Sequence, residues 1–220
     1  MADYPINVFT HVYREDTAKI HQEIDALGKA GNWSDLLKQL KRVQYVNCCK
    51  PPIENENQMP SLFTPLHYAD WGAAPIKVFE LLIKIGASKC LKTAAGETAY
   101  DIAKNKGLNA DILELLKIPK DIKQNEQTIN KMEKGLHSVI KGRVENLLKK
   151  NGQSLPQLAF LFEKGSFYYS VPGMYGGFSV SQRDDGIQVE SLIRICGGSD
   201  EKHFIDKEGN VKLIPNDNPF

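Results

Sequence analysis

Little in this sequence ties it to a membrane, an export route or a bound metal. No run approaches the roughly 18 apolar residues that a membrane span needs. The opening Met1-Ala2-Asp3-Tyr4-Pro5 lacks a basic stretch followed by an apolar one, so no export signal and a cytoplasmic location are expected. Cysteine is scarce: Cys48, Cys49, Cys90 and Cys196 form no C-x-x-C pair and no Cys/His ligand spacing. Reduced thiols, no metal and no other cofactor are therefore expected. A dominant charge is also missing, since the formal net charge of +1 gives no overall pull toward nucleic acid or anionic lipid. Residues 120–150 carry eight Lys/Arg against four Asp/Glu, which a solvated helix face explains more simply than a nucleic-acid patch. Contact with RNA or DNA there would show as steep salt dependence.

What remains is an ordinary globular composition, 41% hydrophobic and 25% charged over 220 residues, enough for one large domain or two small ones. Residues 16–43 predict two helices. Ile20, Ile24 and Leu27 recur at helical spacing until Gly28 and Gly31 interrupt them, and Ser34 is placed to cap a second helix carrying Leu36, Leu37 and Leu40. Residues 47–61 hold Pro51, Pro52 and Pro60 among polar side chains and read as an exposed loop.

A repeat follows. Thr64-Pro65-Leu66-His67-Tyr68-Ala69 sets a capping threonine and a first-turn proline before apolar residues, and Val78, Leu81, Leu82 and Ile85 form a second helix that Gly86 stops. Thr98 lies 34 residues after Thr64, Ala103 lies 34 after Ala69, and Leu115-Leu116 lie 34 after Leu81-Leu82. These residues resemble the ankyrin repeat, whose first helix opens T-P-L-H-x-A and whose second closes on a leucine pair before Gly-Ala, here Gly86-Ala87. The second copy, Thr98-Ala99-Tyr100-Asp101-Ile102-Ala103, has the form often seen in late repeats, and each copy is one residue longer than the usual unit of about 33. The resemblance covers residues 64–117 clearly and 16–43 weakly.

Beyond the repeat, Met132, Leu136, Val139, Ile140, Val144, Leu147 and Leu148 predict a helix over 129–149, ended by Asn151-Gly152, with a shorter helix over 155–163. Then the period changes from helical to alternating. Residues 167–171, 177–180, 187–195, 203–205 and 211–213 read as short strands joined by turns at Asp185-Gly186 and Glu208-Gly209-Asn210. The expected fold is mainly α, α+β overall: an ankyrin-like helical solenoid over 1–163, then a small antiparallel sheet over 164–220 docked on the last helices.

No catalytic constellation emerges. The resemblance implies that His67 is a buried histidine tying neighbouring repeats together. Pro172 to Gly177 is glycine-dense, but no lysine follows and the next segment is strand, so a turn presenting Tyr175 at its tip is preferred to a phosphate loop. Ser199, Asp200 and His203 hold the letters of a serine triad without a nucleophile elbow. The resemblance implies binding through loop tips and first-helix ends: Lys89, Lys92 and Thr93, then Trp71, then Asn105 and Lys106. Trp71 reads equally well as an interface residue or as packing against the loop 47–61. The function expected is binding of a protein partner, with a bacterial toxin held by its immunity protein as the narrower form. The alternative is an effector or enzyme whose sheet acts through Arg183, Arg194 and His203.

Overall fold

The computed structural model describes residues 1–43, 45–54, 60–193 and 200–215. The chain forms two compact units, one of residues Asn7–Ile118 and the other of Met1–Ile6 with Pro119–Phe220. Among the described residues no helix is long and apolar enough to cross a membrane.

Among its described residues the first unit contains a 3-10 turn and six helices, α1 (Glu15–Lys29), α2 (Trp33–Val43), α3 (Pro65–Trp71), α4 (Ile76–Lys84), α5 (Ala99–Asn105) and α6 (Ala110–Leu116). They pack in consecutive pairs, α1 with α2, α3 with α4 and α5 with α6. α3 lies between α1 and α5 in one row, and α4 lies between α2 and α6 in the other. The starts follow local chemistry. Asp35 N–H donates to Asn32 Oδ1 at 3.4 Å, so Asn32 and not Ser34 caps α2. Thr98 and Asp101 satisfy each other's backbone N–H groups at the start of α5, at 2.9 and 3.3 Å. Between the rows Leu36, Leu40, Leu66, Phe79, Leu82, Ala103 and Leu116 form a continuous core. Gly28 is required for the approach of α1 to α3, because a Cβ there would lie 2.7 Å from the Tyr68 ring.

The second unit is a six-stranded sheet with three helices. Strands β1 (Ala2–Asp3), β2 (Ser166–Val171), β3 (Gly176–Arg183), β4 (Gly186–Ile193), β5 (Glu201–Asp206) and β6 (Val211–Ile214) lie in sequence order. β1 runs parallel to β2, and every other pair is antiparallel. The sheet is therefore mixed, where an antiparallel one was expected. α7 (Lys120–Gln124), α8 (Glu126–Asn151) and α9 (Ala159–Lys164) belong with it. α8 packs on β2, β4 and β5, and α9 on β2 and β3.

That packing corrects the expected architecture. A solenoid running to residue 163 is not found, because α8 spends its apolar stripe (Ile129, Met132, Leu136, Val139, Ile140, Val144 and Leu148) in the unit that holds the sheet. The division between compact units falls at Pro119, not at 163. Alternation along the strands puts Phe167, Tyr169, Phe178, Val180, Ile187, Val189 and Ile205 on the face that α8 and α9 cover, and all are buried. Tyr4, arriving beside β2, completes an aromatic cluster with ring centroids 5.2 Å from Phe160 and Phe167 and 5.9 Å from Tyr169.

Candidate functional site

Trp71 is the last residue of α3, and its side chain is 60% exposed. Because α5 packs beside α3, the residue that caps the C-terminus of α5, Lys106, arrives at the same place. Its Nζ lies 3.8 Å from the centroid of the indole and donates to the Trp71 carbonyl oxygen at 2.8 Å. One ammonium thus satisfies a free carbonyl at a helix C-terminus and covers one aromatic face. Phe63, just before the capping Thr64, meets the indole edge-on at 6.3 Å. Asn105 donates from Nδ2 to Glu97 Oε1 at 3.0 Å, fixing the adjoining turn.

Of the residues implicated by sequence, Trp71, Asn105 and Lys106 share this end of the α3–α5 row. Thr93 does not face solvent. It is buried, donates its N–H to the Glu97 carbonyl at 2.9 Å, and accepts from Glu97 N–H through Oγ1 at 3.3 Å, closing the turn before α5. Lys89 and Lys92 are half-buried, Lys92 bridging to Thr98 through its backbone. Tyr175 lies in the other unit, 72% exposed in the β2–β3 turn with a left-handed φ of 54°. Phe63 and Glu97 escaped the sequence reading, although an apolar residue directly before a helix cap is a recognisable signal.

A second cluster is internal to the same unit. His21 and Asp25, one turn apart on α1, are both buried. Asp25 accepts from the Tyr68 hydroxyl and from Lys29 Nζ, the latter at 2.8 Å. His21 sits between the rings of Tyr13 and Tyr45, at 5.0 and 4.9 Å, with neither ring nitrogen bonded. Burial lowers its pKa to about 4, so it is neutral at pH 7. Burial also pushes the Cys49 thiol up to about 12 and the Cys48 thiol well up, with Asp25 adding to both. Neither is a thiolate at neutral pH, and reactivity follows the thiolate. Asp70 is wholly enclosed, neither carboxyl oxygen has a partner, and burial raises its pKa to about 9.

His67 is structural. Thr64 N–H donates to Nδ1 at 3.1 Å, so that nitrogen is unprotonated, and Nε2 donates to the Leu91 carbonyl at 3.2 Å. Of the alternative enzymatic set, Arg183 and His203 fall on opposite faces of the sheet. The strand register puts Arg183 on the uncovered face and His203 on the α8 face, while Arg194 and Ser199 lie outside the described residues. Among the described residues no group of three or more His, Cys, Asp or Glu side chains is arranged to hold a metal ion.

No protein-family model and no curated protein sequence matches the chain. Membership of the ankyrin family, expected from the Thr64 and Thr98 motifs, is therefore not upheld, and the chain as a whole is α+β. A period of 34 residues reflects how two consecutive helix pairs are capped and packed; it does not establish descent.

Proposed function

We propose that this protein is a protein-binding module whose contact surface centres on Trp71. The observation that supports this reading is an indole left 60% exposed yet held in place by Lys106 through both its face and its backbone carbonyl. A large aromatic fixed before contact loses little freedom on binding, and such residues are the usual centres of interface energy. Phe63 at its edge and the Asn105–Glu97 pair beside it supply an apolar margin and a polar rim.

A narrower form takes the partner to be a toxin and this chain its inhibitor, and it predicts a tight one-to-one complex. The test is to place a photo-crosslinking amino acid at Asn105, recover the crosslinked protein from the source organism, and measure its affinity for purified variants. Trp71→Ala should weaken binding by at least about 30-fold, the equivalent of a 2 kcal/mol hot spot, and Lys106→Ala by less. A partner bound equally well by both variants would refute the assignment.

A further inference from the structure

The sheet ends at β6, and among the described residues no strand pairs with its outer edge. Its polarity can be read from the turn that precedes it. Asp206 N–H donates to the Asn210 carbonyl at 3.1 Å, so the 206/210 pair is of the hydrogen-bonded kind. Successive pairs alternate in an antiparallel ladder. Ile205↔Val211 and His203↔Leu213 are then non-bonded pairs, and the N–H and C=O groups of Val211 and Leu213 point outward.

The side chains at that edge are unusual for one left in water. Val211 and Leu213 are 41% and 59% exposed and project on the α8 face. On α8, Gly135 faces this strand: an added Cβ there would lie 3.4 Å from Val211 Cγ2 and 2.7 Å from Ile205, while Leu213 stays open. Lys212, between them, projects from the opposite face beside Phe204 and is exposed. A second copy of β6 is a poor occupant: antiparallel pairing of Val211 with the other copy's Leu213 sets the two Lys212 side chains directly opposite one another, and like charges so placed are destabilising. Lysine on a free edge is a common guard against self-association. The same lysine favours a different strand.

We infer that β6 is a strand-addition site for an extended segment of another protein with the pattern apolar–acidic–apolar. The acidic side chain would lie opposite Lys212, and its neighbours would extend the apolar surface of Val211 and Leu213. Main-chain bonds to those two residues supply affinity, and Lys212 supplies selectivity. This site is independent of the surface around Trp71.

The probe is the labelled peptide acetyl-Thr-Val-Glu-Val-Thr-amide, titrated against the full chain by fluorescence anisotropy, with Lys in place of Glu as its control. The Glu peptide should bind roughly fivefold more tightly than the Lys peptide, and Lys212→Glu should reverse that order. N-methylation of the two valine amides, which face β6, should abolish binding. N-methylation of the glutamate amide, which faces away, should be tolerated, and neither change touches the protein's own folding. Equal binding of the two peptides, or equal sensitivity to all three N-methylations, would overturn the assignment. A dimer seen in sedimentation and lost in Leu213→Arg would also overturn it, by showing that a second copy covers the edge.

Discussion

The helix-pair unit and the sheet unit handle buried polarity differently. In the sheet unit, three large buried polar side chains each end on a partner. Tyr169 donates to the Ser154 carbonyl at 2.8 Å, Tyr4 accepts from Gln157 N–H at 2.9 Å, and Asn151 donates to the Pro172 carbonyl at 2.8 Å. In the helix-pair unit, Asp70 and His21 are enclosed with no partner on any titratable atom. An unpaired buried group adjusts by giving up its charge, so the helix-pair unit should carry most of the pH response of the molecule.

Packing should fail with similar severity in both units, which sets the scale. Phe79→Ala in the first and Phe178→Ala in the second each remove a fully buried ring and should cost about 3–5 kcal/mol in urea unfolding. A much smaller loss for Phe79 would show that the helix pairs collapse around cavities more readily than the sheet does.

Asp70 separates the units next. Its folded pKa, about 9, lies above the ordinary value of 3.8, so the folded form retains a proton that the unfolded chain releases. That group costs nothing below about pH 4, and stability is lost as pH rises from there toward 9. Asp70→Ala should therefore stabilise the protein by about 1–3 kcal/mol at pH 8 and by less at pH 5. An identical change at both pH values would break the comparison.

His21 acts at the acid end. Its folded pKa of about 4 lies below the ordinary 6.5, so the unfolded chain takes up a proton first and stability falls as pH drops from 6.5 to 4. His67 has the same depressed value and His203 is lowered too, both through burial, so His21→Phe should make that acid limb shallower without abolishing it. Hydrogen exchange at pH 4.5 should open α1 and α3 before β3 and β4, and the reverse order would contradict the contrast drawn above. Smallest of all is the exposed Lys131–Glu208 pair at 2.5 Å, where Lys131→Ala should cost no more than about 1 kcal/mol and less in high salt.

Much of the local structure was legible. Thr98 with Asp101 three residues on predicts the α5 cap, and Asn151-Gly152 predicts the end of α8, where Gly152 takes a left-handed φ of 57°. Alternating residues from Phe167 onward predict the five long strands. β1 was not legible, because two residues carry no period and become a strand only when β2 offers an edge. Trp71 was singled out, but Lys106 as its brace was not tied to it, since the two are 35 residues apart and meet only through the packing of α3 on α5. Tyr68 and Asp25, 43 residues apart, are joined in the same way.

By itself, then, the sequence determined the type and approximate span of most helices and strands, because capping bonds, glycine conformations and side-chain periodicity act within a few residues. Tertiary structure decided which apolar stripe faces which. The stripe of α8 suits another helix or a sheet equally well, because burial rewards apolar area without regard to the shape that supplies it. For the same reason the open edge at β6, the braced indole at Trp71 and the enclosed carboxyl of Asp70 became visible only once the elements were packed.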